Sequence, residues 1–178
     1  LLYAEFTKKV KSGDAKKIGT IVFKKKEAQR KYKGQVIWED IDQKAPVYNN
    51  DSIRTSSLSQ ATIHLDDKTK IDLNENSMIV LSMAKNTINI NFNHGSISAK
   101  RANISGGNIN KVNIQSKGTT VSIDKSDVNM SKKGEESLDI TVQKGFADVR
   151  SGLKSKQIKT NEKLIVSKKE TKVVKLTI

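Results

Sequence analysis

The chain has 178 residues, enough for one domain with a sizeable core. It has no cysteine, which excludes disulfides, thiol catalysis and thiolate metal sites, and its two histidines, His64 and His94, are too few for a histidine-rich metal site. The net charge of +14 is uneven: residues 1–34 carry 11 Lys/Arg against 3 acids, residues 35–95 carry 5 against 8, and residues 96–178 carry 17 against 8. A basic–acidic–basic chain could meet nucleic acid, anionic lipid or anionic wall polymer. Of the 33 basic residues 29 are lysine, so a lysine-rich composition spread over solvated faces is the competing explanation.

Taken in chain order, the first segment is "LLYAEFTKKVKSGDAK". Two readings stand. In one it is the interfacial end of a membrane helix preceding residue 1, with Tyr3 and Phe6 at headgroup level and Lys8, Lys9, Lys11, Lys16 and Lys17 against anionic headgroups. In the other it is an ordinary amphipathic turn with solvated lysines. Residues 1–16 are a separate N-terminal segment, membrane-proximal on the first reading, and 17–178 a β domain. Helical periodicity is confined to the residues before Gly13 and to "KKEAQRKYK".

After residue 18 the period is two. Ala61, Ile63 and Leu65 alternate with Thr62 and His64; Ile71 and Leu73 with Asp72; Ile88, Ile90 and Phe92 with Asn89 and Asn91. Val112/Ile114, Val121/Ile123, Val128/Met130, Leu138/Ile140/Val142 and Val174/Leu176/Ile178 continue the pattern. Such alternation marks strands with one face in a core. "QVIWEDI" is apolar on both faces, so Trp38 is expected to be a buried anchor. "SMIVL" reads as a central strand covered on both sides. Turns are expected at Asn49–Asp51, Asp66-Asp67, Asn74–Asn76, His94-Gly95, Gly106-Gly107, Lys117-Gly118, Lys133-Gly134 and Lys144-Gly145. "INFNHGSISAK" and "ITVQKGFADVR" lie 50 residues apart and read as two hairpins built to one rule. The fold class is all-β: an antiparallel sandwich or a solenoid-like stack of short strands and hairpins, with little helix.

Candidate chemistry is thin. The pair Asp66-Asp67 sits between two strands of matching phase, where Asp closes a turn; a solvated tip lacks the apolar pocket that tunes a catalytic carboxylate. His64 lies on the polar face of its strand. No G-x-S-x-G, G-x-G-x-x-G or G-x-x-x-x-G-K-[ST] occurs. The lysine runs lack interleaved aromatics, which argues against nucleic acid. No catalytic, metal or cofactor-binding residues are expected.

The order of these elements resembles the FecR domain. That family opens with a Gly-x-Val strand, then a "gD-x-I-x-T-g" turn and a "S-x-A-x-h-x-h-x-x-G-[ST]-x-h-x-h" hairpin. The matching residues are Ile18-Gly19-Thr20-Ile21-Val22, then Asp51, Ile53 and Thr55, then Ser59, Ala61, Ile63 and Leu65, then Thr69, Ile71 and Leu73. Asn50, Ser56 and Lys68 stand where the family has glycine. The likeness covers residues 17–100, with 101–178 a β-rich continuation in similar style. It implies a bacterial periplasmic module, anchored to the inner membrane by a helix before residue 1. Such a module is non-enzymatic and binds another protein in envelope signalling or assembly. The alternative is a scaffold holding anionic wall polymer or lipid headgroups through its lysines.

Overall fold

A computed structural model describes residues 15–102, 111–134, 137–168 and 170–176. Strands account for 67% of these residues and none of them is helical. The all-β expectation therefore holds, and "KKEAQRKYK" is a correction: it forms the end of one strand, a turn and a second strand.

The strands make two ladders. The first runs β4 (Pro46–Tyr48), β1 (Lys17–Lys25), β6 (Gln60–Leu65), β7 (Lys70–Leu73), the second half of β9 (Thr87–Lys100), β12 (Asp127–Lys133), β13 (Ser137–Lys144), β16 (Glu162–Ser167) and β17 (Thr171–Lys175). The second runs β3 (Glu39–Asp40), β2 (Ala28–Lys31), β5 (Ser52–Thr55), β8 (Met78–Ala84), the first half of β9, β10 (Lys111–Ser116), β11 (Thr119–Ile123), β14 (Phe146–Ser151) and β15 (Lys154–Lys159). All pairings are antiparallel except β9–β10, which is parallel.

The alternation explains the packing. Ile21, Ile63, Ile71, Ala99, Val128, Ile140 and Leu164 from the first ladder and Ile53, Ile79, Leu81, Ile90, Ile114, Val121 and Val149 from the second are buried in one core cluster. Polar residues of the same strands face outward, as an antiparallel sheet with one covered face requires. A slip of one residue in any strand would turn its isoleucines to water, so the register is strongly specified.

The chain repeatedly crosses from one ladder to the other, and β9 does so without interruption. Its residues 87–92 pair with β8 and β10, and residues 95–100 pair with β7 and β12. The crossing is at Gly95, with φ +95; a Cβ there would run into Ser77 and lie 2.6 Å from the Asn76 carbonyl oxygen. His94-Gly95 is thus a corner inside one strand, not the expected turn. Gly145, with φ +81, is the matching corner between β13 and β14. The 50-residue echo therefore marks two sheet-to-sheet crossings, and the hairpin reading of it is corrected. Period-two patterning reads a hairpin and a crossing identically, because both preserve inward and outward phase.

Two further expectations are corrected. β8 is central in its ladder, between β5 and β9, but Met78 and Val80 remain half-exposed, so only one face is covered. Residues 35–38 form no strand; Val36 and Ile37 are 87% and 68% exposed, and Trp38 is half-buried. Apolar residues on both faces mean double coverage only where a second layer exists, and here none lies over the β2–β3 connection. The Gly106-Gly107 turn lies outside the described residues.

Candidate interaction site

The β2–β3 connection and its surroundings concentrate the charged and aromatic side chains that could recognise a partner. Arg54 donates from Nε and Nη2 to Gln29 Oε1 at 3.0 and 2.7 Å, and Gln29 donates to Asp40 Oδ1 at 3.0 Å. That chain holds the Arg54 guanidinium 4.2 Å from the Trp38 ring centre, with Lys31 Nζ 5.1 Å from the same ring. A cation over indole is attracted by the ring's negative face, and the contact shields part of Trp38 from water. Trp38 is thus a surface aromatic held by cations, not a core anchor.

Beneath it, Arg30 is buried. It donates to the Pro46 carbonyl at 2.5 Å, sits 3.7 Å from Asp51 and lies 4.4 Å from the Tyr32 ring centre. Tyr32 and Tyr48 lie 6.3 Å apart, and burial pushes the Tyr32 phenol up from its ordinary value, with Arg30 opposing. Asp51 is 1% exposed and accepts from the Tyr48 amide at 2.8 Å. Burial drives its pKa up to about 6, although the amide and Arg30 both pull it down. Desolvation of a carboxylate outweighs one hydrogen bond and one cation at 3.7 Å.

The expected sites divide. Asp66 is exposed, but Asp67 is buried: it accepts from the Thr69 amide at 2.9 Å and the Thr69 hydroxyl at 2.8 Å, and lies 3.5 Å from Arg101 Nε. The reading of both as solvated is corrected for Asp67, because β9 brings Arg101 to the turn from 34 residues away. His64 is exposed on its strand. Asn74–Asn76 is a ladder crossing between β7 and β8, not a hairpin tip. Lys16 and Lys17 are exposed at the start of β1; Lys8, Lys9 and Lys11 lie outside the described residues. No three His, Cys, Asp or Glu side chains among the described residues are grouped to hold a metal. A groove of about 430 Å³ crosses the outer face of the first ladder. Its carboxylate, Asp72, is already engaged by Thr62 at 2.6 Å and Lys70 at 3.0 Å.

The signature residues have a structural logic. Thr55 Oγ1 donates to the Asn74 carbonyl at 2.5 Å and accepts from the Ser77 amide at 3.1 Å. Ser59 Oγ accepts from the Glu27 amide at 3.2 Å. Asn50 and Lys68, which replace family glycines, adopt φ of +70 and +63, the left-handed backbone glycine would supply. Asp51, Thr55, Ser59 and Thr69 are buried, and each has a hydrogen bond at a corner or turn; Ile53, Ala61, Ile63, Leu65, Ile71 and Leu73 fill the core. The family model described as FecR protein matches residues 51–148.

The chain belongs to the FecR family. The match starts later and reaches further than the signature read from sequence, ending within β14. An uncharacterized protein of Treponema pallidum (strain Nichols) is 35% identical over 74 residues, 42% of this chain. The aligned part spans 11% of that relative's length. Two crystal structures of a candidate anti-sigma factor from Parabacteroides distasonis share the fold. Each has a TM-score of 0.61 at 15% identity, covering 70% of this chain and 59% of theirs.

The two ladders also leave four bordering strands among those described. β3 has two residues and β4 three. β15 reads "KSKQIK", and Lys154 and Lys156 stand on the same face as buried Ile158, an arrangement that discourages strand addition. β17, which pairs with β16 on one side, has one lysine, Lys175, on the face of partly buried Val173, against two on the inward face of β15. It is the border best suited to receive a strand.

Proposed function

We propose that this FecR-family chain is a non-enzymatic periplasmic module that acts by binding another protein in envelope signalling. The family match over residues 51–148 carries this reading. The shared fold with a candidate anti-sigma factor supports a regulatory role, and the border of β17 supplies a surface for backbone pairing. Attachment to the inner membrane would put Lys16 and Lys17, exposed at the start of β1, near the membrane surface.

A photo-crosslinking residue at Lys172 in β17, in cells carrying the full-length protein, tests partner binding. One discrete protein adduct is expected there and not from the same residue at Lys156 in β15. Equal adducts at both strands, or none at β17, would overturn docking at β17. A periplasm-dependent reporter fused after residue 178 tests the location, and its inactivity would overturn it.

The exposed lysines of β15 favour a second reading, in which anionic wall polymer or lipid headgroups are held electrostatically. Binding of that kind falls steeply with salt, whereas strand addition does not.

A further inference from the structure

Val36 and Ile37 are adjacent and exposed at the tip of the β2–β3 connection, 87% and 68% respectively. Lys31 and exposed Lys33 precede them in the chain, and Trp38, next to Ile37, has Lys31 and Arg54 over its ring. The acids nearby in sequence are Glu39, Asp40 and Asp42, and Asp40 accepts from Gln29.

The tip also lies at a defined end of the domain. Lys31 pairs with Ser52, Lys17 pairs with Tyr48, and the Asn49 amide donates to the Lys16 carbonyl at 2.9 Å. With Tyr32 and Tyr48 6.3 Å apart, the tip and the point where the N-terminal segment joins the domain share one end of the strands.

We propose that this tip is a lipid-interface contact: Val36 and Ile37 insert among the headgroups of an anionic bilayer, while Lys16, Lys17, Lys31 and Lys33 meet the anionic surface. A convex tip with two aliphatic side chains is small beside the roughly 800 Å² per partner of a stable protein interface, but it suits shallow insertion. Lysines beside the apolar pair complement anionic headgroups, and a tryptophan at the base of an inserting loop takes the interfacial depth that indole favours. The inference rests on the membrane-side location proposed above.

Trp38 is the sole tryptophan of the chain, so its emission reports the tip directly. The experiment titrates the purified chain with phosphatidylethanolamine–phosphatidylglycerol vesicles and with phosphatidylcholine vesicles at low and physiological salt. Anionic vesicles are expected to shift Trp38 emission to the blue, and acyl-brominated lipid to quench it. Val36→Ser with Ile37→Ser, at exposed positions that leave the core intact, is expected to weaken binding by about tenfold and abolish the shift. Lys16→Gln, Lys17→Gln and Lys33→Gln together are expected to flatten the salt dependence.

A wild-type chain that gives no shift on anionic vesicles at low salt overturns the proposal. So does a serine variant that binds as well as wild type. Self-association lost in the serine variant, without vesicle binding, would reassign the tip to a second copy of the chain. The reporter fusion separates the two readings: a cytoplasmic result with vesicle insertion intact removes the periplasmic location and leaves the tip, and the converse removes the tip alone.

Discussion

The molecule divides at β9 into two regions that solve one problem differently. Before β9, buried polar side chains fix the crossings between ladders: Asp51 holds the Tyr48 amide, Ser59 holds the Glu27 amide, and Thr55 and Ser77 tie neighbouring crossings together. Ser77 then accepts from the Ser96 amide at 2.9 Å, just past Gly95. After β9, backbone bonds carry more of each crossing, and the side chains there, Thr160 Oγ1 on the Gly145 carbonyl and Arg101 beside Asp124, add to them. Arg101 N donates to the Ser126 carbonyl, Thr160 N to the Gly145 carbonyl, and Asn161 N to the Val142 carbonyl, at 3.0–3.1 Å. There the Ser116 and Ser126 hydroxyls are buried without hydrogen-bond partners among the described residues. A crossing fixed by side chains needs particular residues and leaves a readable motif. One closed by backbone needs only glycine or a tolerant residue, and leaves alternation alone.

The sharpest way to break this comparison is at the strand where the regions meet. Gly95→Ala places a Cβ against Ser77 at φ +95, and a cost above about 3 kcal/mol or failure to fold is expected. Gly118→Ala, at φ +73 with nothing within 4 Å, should cost about 1 kcal/mol. Urea denaturation measures both, and equal costs would show that the crossing is not constrained by packing.

Asp51 tests the polar crossings. Asp51→Ala removes the acceptor of the Tyr48 amide and the counter-charge of buried Arg30, and a loss of about 2–3 kcal/mol is expected, with Asp51→Asn milder because it keeps an acceptor. The raised pKa also fixes a sign. The folded state binds this proton more tightly than the unfolded chain, so the contribution of Asp51 to stability is greatest below pH 3.8 and declines as pH rises to about 6. The difference in unfolding free energy between wild type and Asp51→Asn should therefore vary with pH across that window; a constant difference from pH 4 to 7 would refute the raised pKa.

A smaller effect separates the two adjacent carboxylates. Asp67→Asn weakens the ion pair with Arg101 and is expected to cost about 1–2 kcal/mol, whereas Asp66→Asn should change stability by less than about 0.5 kcal/mol. Similar melting temperatures for the two variants would return Asp67 to the solvated class.

The smallest expected effect is a gain. Lys68 holds φ +63 at the turn between β6 and β7, so Lys68→Gly should stabilise by about 0.5–1 kcal/mol. A loss would mean that the added freedom of the unfolded chain outweighs the relieved backbone.

The sequence by itself determined the all-β class, the inward faces of strands such as β6, β7, β9, β10 and β13, and the family, because period two and a few turn residues are local properties of the chain. Lysine and asparagine at left-handed positions such as Lys68, Lys85, Asn50 and Asn161 explain how so many turns coexist with only 10 glycines. Only the tertiary structure decided which connections are hairpins and which are crossings. It also decided that Asp67 is buried and paired with Arg101, that Trp38 lies near the surface beside two cations, and that the β2–β3 tip shares an end of the fold with the N-terminal strand. Arg54 reaches Trp38 across 16 positions and Arg101 reaches Asp67 across 34, and alternation along one strand carries no record of what lies across from it.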